Sequence, residues 1–335
     1  MSAGKPTLAS VAKEAGVSVP TVSQVMRGTG RISEETRQKV LEAAANQRYV
    51  PDSRAASMRS GENREIGLVI NQISNPFNAE VISGAVSLLE SEGYMVSILD
   101  PRDDQVRQGR QLEAFIRHGR GGLLWVPAVD TPPETFDLLR THGIPTVTFL
   151  RRVSRNCDHV GIRNAEATAT ATSYLADLGH RRIAYLGGSL MTYVRKERIE
   201  GYEAVLAQRG LGPGIIWPSG DDKRAGMDAM DALLVGHPDV TAVVCNGDMV
   251  ALGACYSLIR SGIQPGQGVS VIGFDDIEDA SVAVPALTTM AVRPNKLGQK
   301  LAQILLDRIR TPDMPVMVSD VSAELIVRET TGAPP

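Results

Sequence analysis

Val17 to Gly28 reads VSVPTVSQVMRG. Ser18 is a favoured helix N-cap, so the stretch predicts a helix from Val19 to about Arg27 with Pro20 at its second position. Proline lacks an N–H, but the first turn of a helix has no intrahelical partner for that group anyway. Helical spacing puts Val22 and Val25 on one face and Val19, Pro20, Ser23 and Gln24 on the other. Upstream, Thr7 precedes LASVAKEAG, where Leu8, Val11, Ala12 and Ala15 recur at helical spacing and Gly16 supplies the stop. Downstream, a third helix starts after Ser33, with Glu34 and Glu35 at its positive end, and carries Val40, Leu41 and Ala44 inward until RYVP. Two short helices joined by a tight turn containing Gly and braced by a third form a helix-turn-helix. The face opposite Val22 and Val25 would enter a DNA major groove. There Gln24 can pair bidentately with adenine and Val19 can pack on a thymine methyl, while Ser18, Thr21 and Ser23 are short donors suited to phosphates.

Charge supports a polyanion partner for this segment alone. Residues 1–60 hold nine basic and five acidic residues, a balance of +4, and the chain's net −3 leaves −7 on the remainder. A small basic head on an acidic body fits nucleic-acid binding by the head. With 335 residues, 43% of them hydrophobic, the chain is long enough for two or three domains. Cys157, Cys245 and Cys255 show no CxxC spacing, which argues against a zinc ribbon or a disulfide framework. No apolar run is long enough to span a membrane, and the first residues lack the apolar middle of a signal peptide, so a cytoplasmic protein is expected.

Beyond residue 64, continuous apolar runs alternate with amphipathic stretches. IGLVIN (66–71), MVSILD (95–100), GGLLWVP (121–127) and PTVTFL (145–150) form one set, and RIAYLGG (182–188), TAVVCNG (241–247) and VSVIGFDD (269–276) a second. Strands apolar on both faces belong to parallel sheets covered by helices, so two α/β units are predicted, with ligands at the carboxyl ends of the strands. No G-x-G-x-x-G, P-loop, G-x-S-x-G or H-E-x-x-H occurs and the five histidines stand singly, so no enzyme, cofactor or metal site is expected. GFDD at Gly273–Asp276 places Asp275 at a strand end as a ligand acceptor.

TLASVAKEAGVSVPTVSQVMRG and RISEETRQKVLEAAANQRYVPDSRAASMRSG resemble the DNA-binding head of the lac repressor (LacI/GalR) family of bacterial transcription regulators. The resemblance continues through IGLVINQISNPF, LGHRRIAYLGG, RIEGYEAVL, GDMVALGA and VIGFDDIEDASVAVPALTT, nearly the whole chain. It implies a head over 1–50, a hinge helix over 51–63, and a two-lobed, periplasmic-binding-protein-like body. The lobes would be 64–160 with 292–318, and 161–291 with 319–335, joined by crossings near 160, 291 and 319. It further implies base reading from Val19, Pro20 and Gln24, with Arg27 nearby, and a minor-groove wedge at Met58 flanked by Arg59. The expected partners are a pseudo-palindromic duplex operator, a second copy of the chain and a small effector that releases or recruits what is most often a repressor. The last residues, ELIVRETTGAPP, carry no leucine heptads, so a dimer rather than a tetramer is expected.

Matched residue by residue, Arg198 takes the place of the family's effector arginine, Asp275 that of its strand-end aspartate, and Phe77 offers a stacking face. Gly247-Asp248 stands where the family has Asn-Asp, and Arg163-Asn164 where it has Asp-Asn. If Arg163 joined Arg198 in the cleft, two guanidinium groups would favour a sugar acid or sugar phosphate over a neutral sugar. Otherwise Arg163 would pair with Asp158 or Glu166. A sugar-binding protein with no DNA role would share the body but has no use for a basic head. A two-domain α/β enzyme would need a catalytic constellation that these residues lack.

Overall fold

The computed structural model describes residues 5–51, 63–119, 121–188 and 192–335. The chain divides into two compact units, Met1–Asn63 and Arg64–Pro335.

In the first unit, α1 (Leu8–Ala15), α2 (Val19–Met26) and α3 (Glu34–Asn46) begin where their caps predict. The Thr7 hydroxyl accepts from the Ser10 N–H at 3.1 Å, the Ser18 hydroxyl from Thr21 at 3.3 Å and the Ser33 hydroxyl from Thr36 at 3.4 Å. Gly16 ends α1 at φ 66°, a left-handed C-cap that glycine adopts without strain. Val11, Ala12, Val22, Val25, Val40, Ala43 and Ala44 form the core. Leu41, expected inside, is 42% exposed, because Val40, Ala43 and Ala44 are the positions of α3 that face α1 and α2. Gln47 donates to the Ser10 carbonyl at 3.1 Å and Asn46 to Glu14 at 3.1 Å, tying α3 to α1 across the small core.

The second unit is built from two six-stranded sheets. The first lobe opens with β1 (Glu65–Val69), α4 (Pro76–Ser91), β2 (Met95–Leu99), α5 (Gln105–Arg117), β3 (Gly122–Trp125), α6 (Glu134–Thr141), β4 (Thr146–Phe149) and β5 (Asp158–Ile162). The chain then crosses to the second lobe: α7 (Asn164–Asp177), β6 (Ile183–Leu186), α8 (Tyr193–Arg209), β7 (Ile215–Trp217), α9 (Lys223–Gly236), β8 (Ala242–Cys245), α10 (Asp248–Arg260), β9 (Ser270–Asp275), α11 (Glu278–Val282) and β10 (Thr288–Ala291). It returns to the first lobe through α12 (Pro294–Arg310) and β11 (Val318–Val321), and crosses once more into β12 (Glu324–Ile326). The sheet orders are β11-β5-β4-β3-β1-β2 and β12-β10-β9-β8-β6-β7, parallel throughout except that β12 runs antiparallel to β10. Strands β3, β4, β6 and β8 are buried at every residue, which is why their segments read as apolar runs.

The three crossings fall at residue 163, at 292–293 and at 322–323, the second where it is expected near 291 and the first and third a few residues past 160 and 319. The displacement arises because β5 stays paired with β4 and β11 until Ile162, and β11 stays in the first sheet until Val321.

The tightest helix pairs meet at glycines. A Cβ on Gly84 of α4 would sit 2.0 Å from the Asn295 carbonyl of α12, and one on Gly298 would sit 2.1 Å from the Val81 carbonyl. In the second lobe Gly226 of α9 and Gly253 of α10 bear on each other's backbones in the same way, at 2.4 and 2.1 Å from Val250 and Lys223 carbonyls. Gly298→Ala should therefore destabilise the body by about 1–3 kcal/mol, since overpacking against backbone outweighs alanine's better helix propensity. Chemical denaturation of the full chain measures it, and a variant as stable as wild type would show that α4 and α12 can part at no cost.

Candidate nucleic-acid interface and interlobe cleft

Helix α2 keeps the two faces read from its sequence. Val22 and Val25 are buried, while Val19 is 41% exposed and Pro20 and Arg27 are also exposed. Ser18 and Thr21 spend part of their hydrogen-bonding capacity on the cap, with their hydroxyls 2.8 Å apart. The Arg27 Nε donates to the Ser23 carbonyl at 3.0 Å, which leaves the guanidinium tip facing solvent. Gln24 is half-buried, and its amide lies over Gly30: a Cβ there would come within 2.9 Å of Oε1. Gly30, at φ 83°, thus leaves room for the Gln24 amide beside the turn. Met58 and Arg59 lie outside the described residues.

Between the lobes of the body, the carboxyl ends of β1, β2, β3, β6, β8 and β9 border a cleft of about 680 Å³. Gln72 spans it, donating to the Asp221 carbonyl at 3.3 Å. Arg198 is buried on α8. Its Nε donates to Asn164 Oδ1 at 2.9 Å, its Nη1 donates to the Asn246 carbonyl, and its plane stacks 3.5 Å over the Phe274 ring, an arrangement that fixes the guanidinium. Nη2 has no protein partner among the described residues. Asp275 is 9% exposed, and no hydrogen-bond donor reaches its carboxylate among the described residues. Its backbone and that of Asp276 both take positive φ, 119° and 61°, uncommon outside functional turns. Burial pushes the Asp275 carboxyl well above the usual range, against the pull of Arg198. A ligand that donates hydrogen bonds to it would favour the ionised form.

Phe77 lines the cleft while packing into the first-lobe core. Two other expected residues do not join it. Arg163 is exposed at the crossing between β5 and α7, where its side chain reaches Glu166 at 3.4 Å, one helical turn on, and lines a separate chamber. The anionic ligand inferred from two facing arginines loses that support. Asp248 is completely buried beneath the cleft floor, accepting from Thr289 Oγ1 at 2.6 Å and the Ile277 N–H at 2.9 Å. Burial pushes it up to about 7, and its role is to hold the loop that carries Asp275 and Asp276. Gly247, beside it, lines the cleft with no side chain to offer.

The cleft also contains groups that the motifs did not mark. Arg195, buried on α8 one turn before Arg198, donates through Nε to the Gly187 carbonyl at 3.0 Å. The i, i+3 spacing of Arg195 and Arg198 was a readable signal. Asp221 accepts from Asn246 Nδ2 at 2.7 Å, and burial raises its pKa. It follows the three-residue strand β7, too short to stand out in the sequence. Arg151 is held by Asp103 in a two-pronged ion pair, with Nη2 to Oδ2 at 2.9 Å.

Among the described residues no helix is long and apolar enough to cross a membrane, and no group of three or more His, Cys, Asp or Glu is placed to hold a metal. Two family models match: bacterial regulatory proteins of the lacI family over residues 7–52, and the periplasmic binding protein-like domain over 172–331. The chain is 32% identical over 321 residues to the maltose regulon regulatory protein MalI of Escherichia coli, covering 92% of this chain and 94% of that one. It is 31% identical over 328 residues to the HTH-type transcriptional repressor PurR of Vibrio cholerae serotype O1, covering 97% of each. Among solved structures it resembles a complex of the transcriptional regulator CelR with cellobiose, with a TM-score of 0.72 at 28% identity over 97% of this chain and 99% of that one. The lac repressor dimer bound to operator and the anti-inducer ONPF shares the fold, with a TM-score of 0.87 at 24% identity over 98% and 99% of the two chains.

Proposed function

The chain belongs to the lacI family of bacterial regulatory proteins and is a DNA-binding transcription regulator, and from that premise we propose that it is a cytoplasmic repressor, acting as a dimer on a pseudo-palindromic operator and governed by a sugar in its cleft. In this reading α2 lies in the major groove. Val19, Pro20 and Gln24 meet base edges, Ser18, Thr21, Ser23 and Arg27 meet the phosphate backbone, and Met58 with Arg59 opens the minor groove. The two-fold axis of a dimer matches the operator's symmetry and doubles the short sequence that one head can read. The observation that carries the reading is the pairing of faces on α2: Val22 and Val25 sealed into the head's core, Val19, Pro20 and Arg27 left to solvent in a segment of charge +4.

The cleft binds rather than catalyses. Arg198 is fixed by Asn164, Asn246 and Phe274 with only Nη2 left over, and the carboxylates near Asp275, those of Asp221 and Asp248, are themselves held by protein donors. With Arg163 turned away, the most available group on the floor is the Asp275 carboxylate, an acceptor suited to the hydroxyls of a neutral sugar. The cellobiose in the CelR complex is in keeping with that chemistry.

Gln24→Ala should cost about 1–3 kcal/mol on the cognate operator and relax preference at one base pair in each half-site. Fluorescence anisotropy with single-base operator variants reads both effects. A loss spread evenly over all sequences would make Gln24 a backbone contact instead.

A further inference from the structure

Beside the cleft lies a second chamber of about 770 Å³, which shares with it the walls formed by Leu150, Arg151 and Thr192. Part of its lining comes from the ends of β5 and β11, where two acceptors converge. His159 is only 7% exposed, with Nδ1 3.0 Å from Thr148 Oγ1. The Thr148 hydroxyl gives its single proton to the Asp158 carbonyl at 3.1 Å, so toward the imidazole it accepts. Nδ1 therefore carries the proton and Nε2 presents a lone pair. Burial, with Arg152 nearby, lowers the His159 pKa to about 4, so the ring is neutral near pH 7. The second acceptor is the Asp320 carboxylate, laid over the strand at Gly161. A Cβ on Gly161 would sit 2.3 Å from Asp320 Oδ1 and 3.4 Å from His159 Nε2, so a strand position without a side chain brings the two together. Neither can satisfy the other, since both accept. Among the described residues neither Nε2 nor the Asp320 carboxylate has a hydrogen-bond partner.

We infer that this chamber is a second sugar subsite, taking the vicinal hydroxyls of a further unit of an oligosaccharide whose first unit lies on Asp275 in the cleft. Adjacent hydroxyls donate to His159 Nε2 and Asp320, while their oxygens accept from Arg152, whose Nη1 is not used in holding the Ser154 and Arg155 carbonyls. Tyr193, 64% exposed on the chamber's rim, offers a ring face to the sugar. An ammonium group would also suit two acceptors, but Arg151, Arg152, Arg155 and Arg163 line the same space and repel it. Shared walls make one elongated ligand the natural occupant of both spaces.

The inference rests on the cleft being a sugar site, and the test separates the two. Calorimetry on the full chain would compare glucose with maltose and maltotriose, glucose with cellobiose and cellotriose, and xylose with xylobiose, with spermidine as the cationic probe. In the series that binds, the two-unit sugar should bind about tenfold or more tighter than the one-unit sugar. Asp320→Ala, a change at an exposed position, should bring that ratio to within about twofold, and His159→Gln should reduce it as well. Equal affinity for one and two units, an unchanged ratio in both variants, or preference for spermidine would overturn the second subsite alone. Failure of every sugar to bind would overturn the sugar reading of the cleft and this inference with it.

Discussion

Arg308→Met should destabilise the effector-binding body by about 3–5 kcal/mol. Asp158, at the start of β5, is 2% exposed, and its carboxylate is gripped by Arg308 of α12 through Nε and Nη2 at 2.8 and 2.9 Å. The same guanidinium donates to the carbonyls of Pro312 and Pro315 at 2.9 Å each, and to that of Met314. It thereby holds the whole turn that leads into β11 and the third crossing. Methionine would keep most of the volume but leave a buried carboxylate with the Met317 N–H, at 2.8 Å, as its one donor among the described residues. The penalty comes from the orphaned charge rather than from the worth of the pair. Replacing both partners, Asp158→Leu with Arg308→Met, should therefore recover a large part of the loss. Urea unfolding of the two variants decides the matter, and a loss under about 1 kcal/mol in the single variant would mean that water reaches Asp158.

The second large effect falls on the effector. Asp275→Ala should weaken effector binding by about 1.5–3 kcal/mol, or roughly 10- to 150-fold, because it removes an acceptor that the protein leaves unused. The same carboxyl sets the pH dependence. Burial raises its pKa in the empty cleft, and hydroxyls donated by the ligand favour the ionised form, so binding releases a proton. Affinity should tighten as the pH rises through the range in which Asp275 ionises in the empty cleft. Calorimetry across that range, on wild type and Asp275→Ala, checks both. A pH profile that persists in the variant would assign the effect elsewhere, with Asp221 the first candidate.

Much of this architecture could be read because its signals are local. Thr7, Ser18 and Ser33 cap the three head helices through hydrogen bonds spanning three residues, which a sequence displays directly. The buried central strands declare themselves as apolar runs. What escaped was set by tertiary pairing. Strand β5 begins with a buried Asp158 and His159, whose partners lie on α12 and β4, so the segment does not look like a core strand. β7 and β12, at three residues each, are too short to carry a pattern. Leu41 is apolar yet exposed, because which face of α3 turns inward depends on its neighbours rather than on its composition.

Arg198 and Asp275, which the motifs named, both line the cleft, one from a helix and one from a strand end. For Arg163 the sequence left the cleft and a pairing with Asp158 or Glu166 both open, and the structure takes the Glu166 pairing, while Asp248 lies beneath the cleft rather than in it. Arg163 sits one residue past the end of β5, where the backbone turns into α7 and the nearest acid is Glu166. Asp248 opens α10, but its side chain turns down to Thr289 and Ile277. The Arg163 contact is local and was one of the two readings the sequence offered, whereas the Asp248 contacts reach Thr289 and Ile277, far along the chain, and could not be read from it.

The proposed function requires that operator recognition be coupled to a sugar in the cleft. Its most direct test is an anisotropy titration of the full-length protein on its operator, performed with and without a saturating sugar from the series above, beside a scrambled duplex of equal length at the same salt concentration. Operator affinity should exceed that for the scrambled duplex by at least about 1,000-fold, and adding the sugar should shift it by about tenfold or more, consistent with coupling energies of about 1–3 kcal/mol. Equal affinity for the two duplexes, or an operator affinity that a bound sugar leaves unmoved, would contradict it.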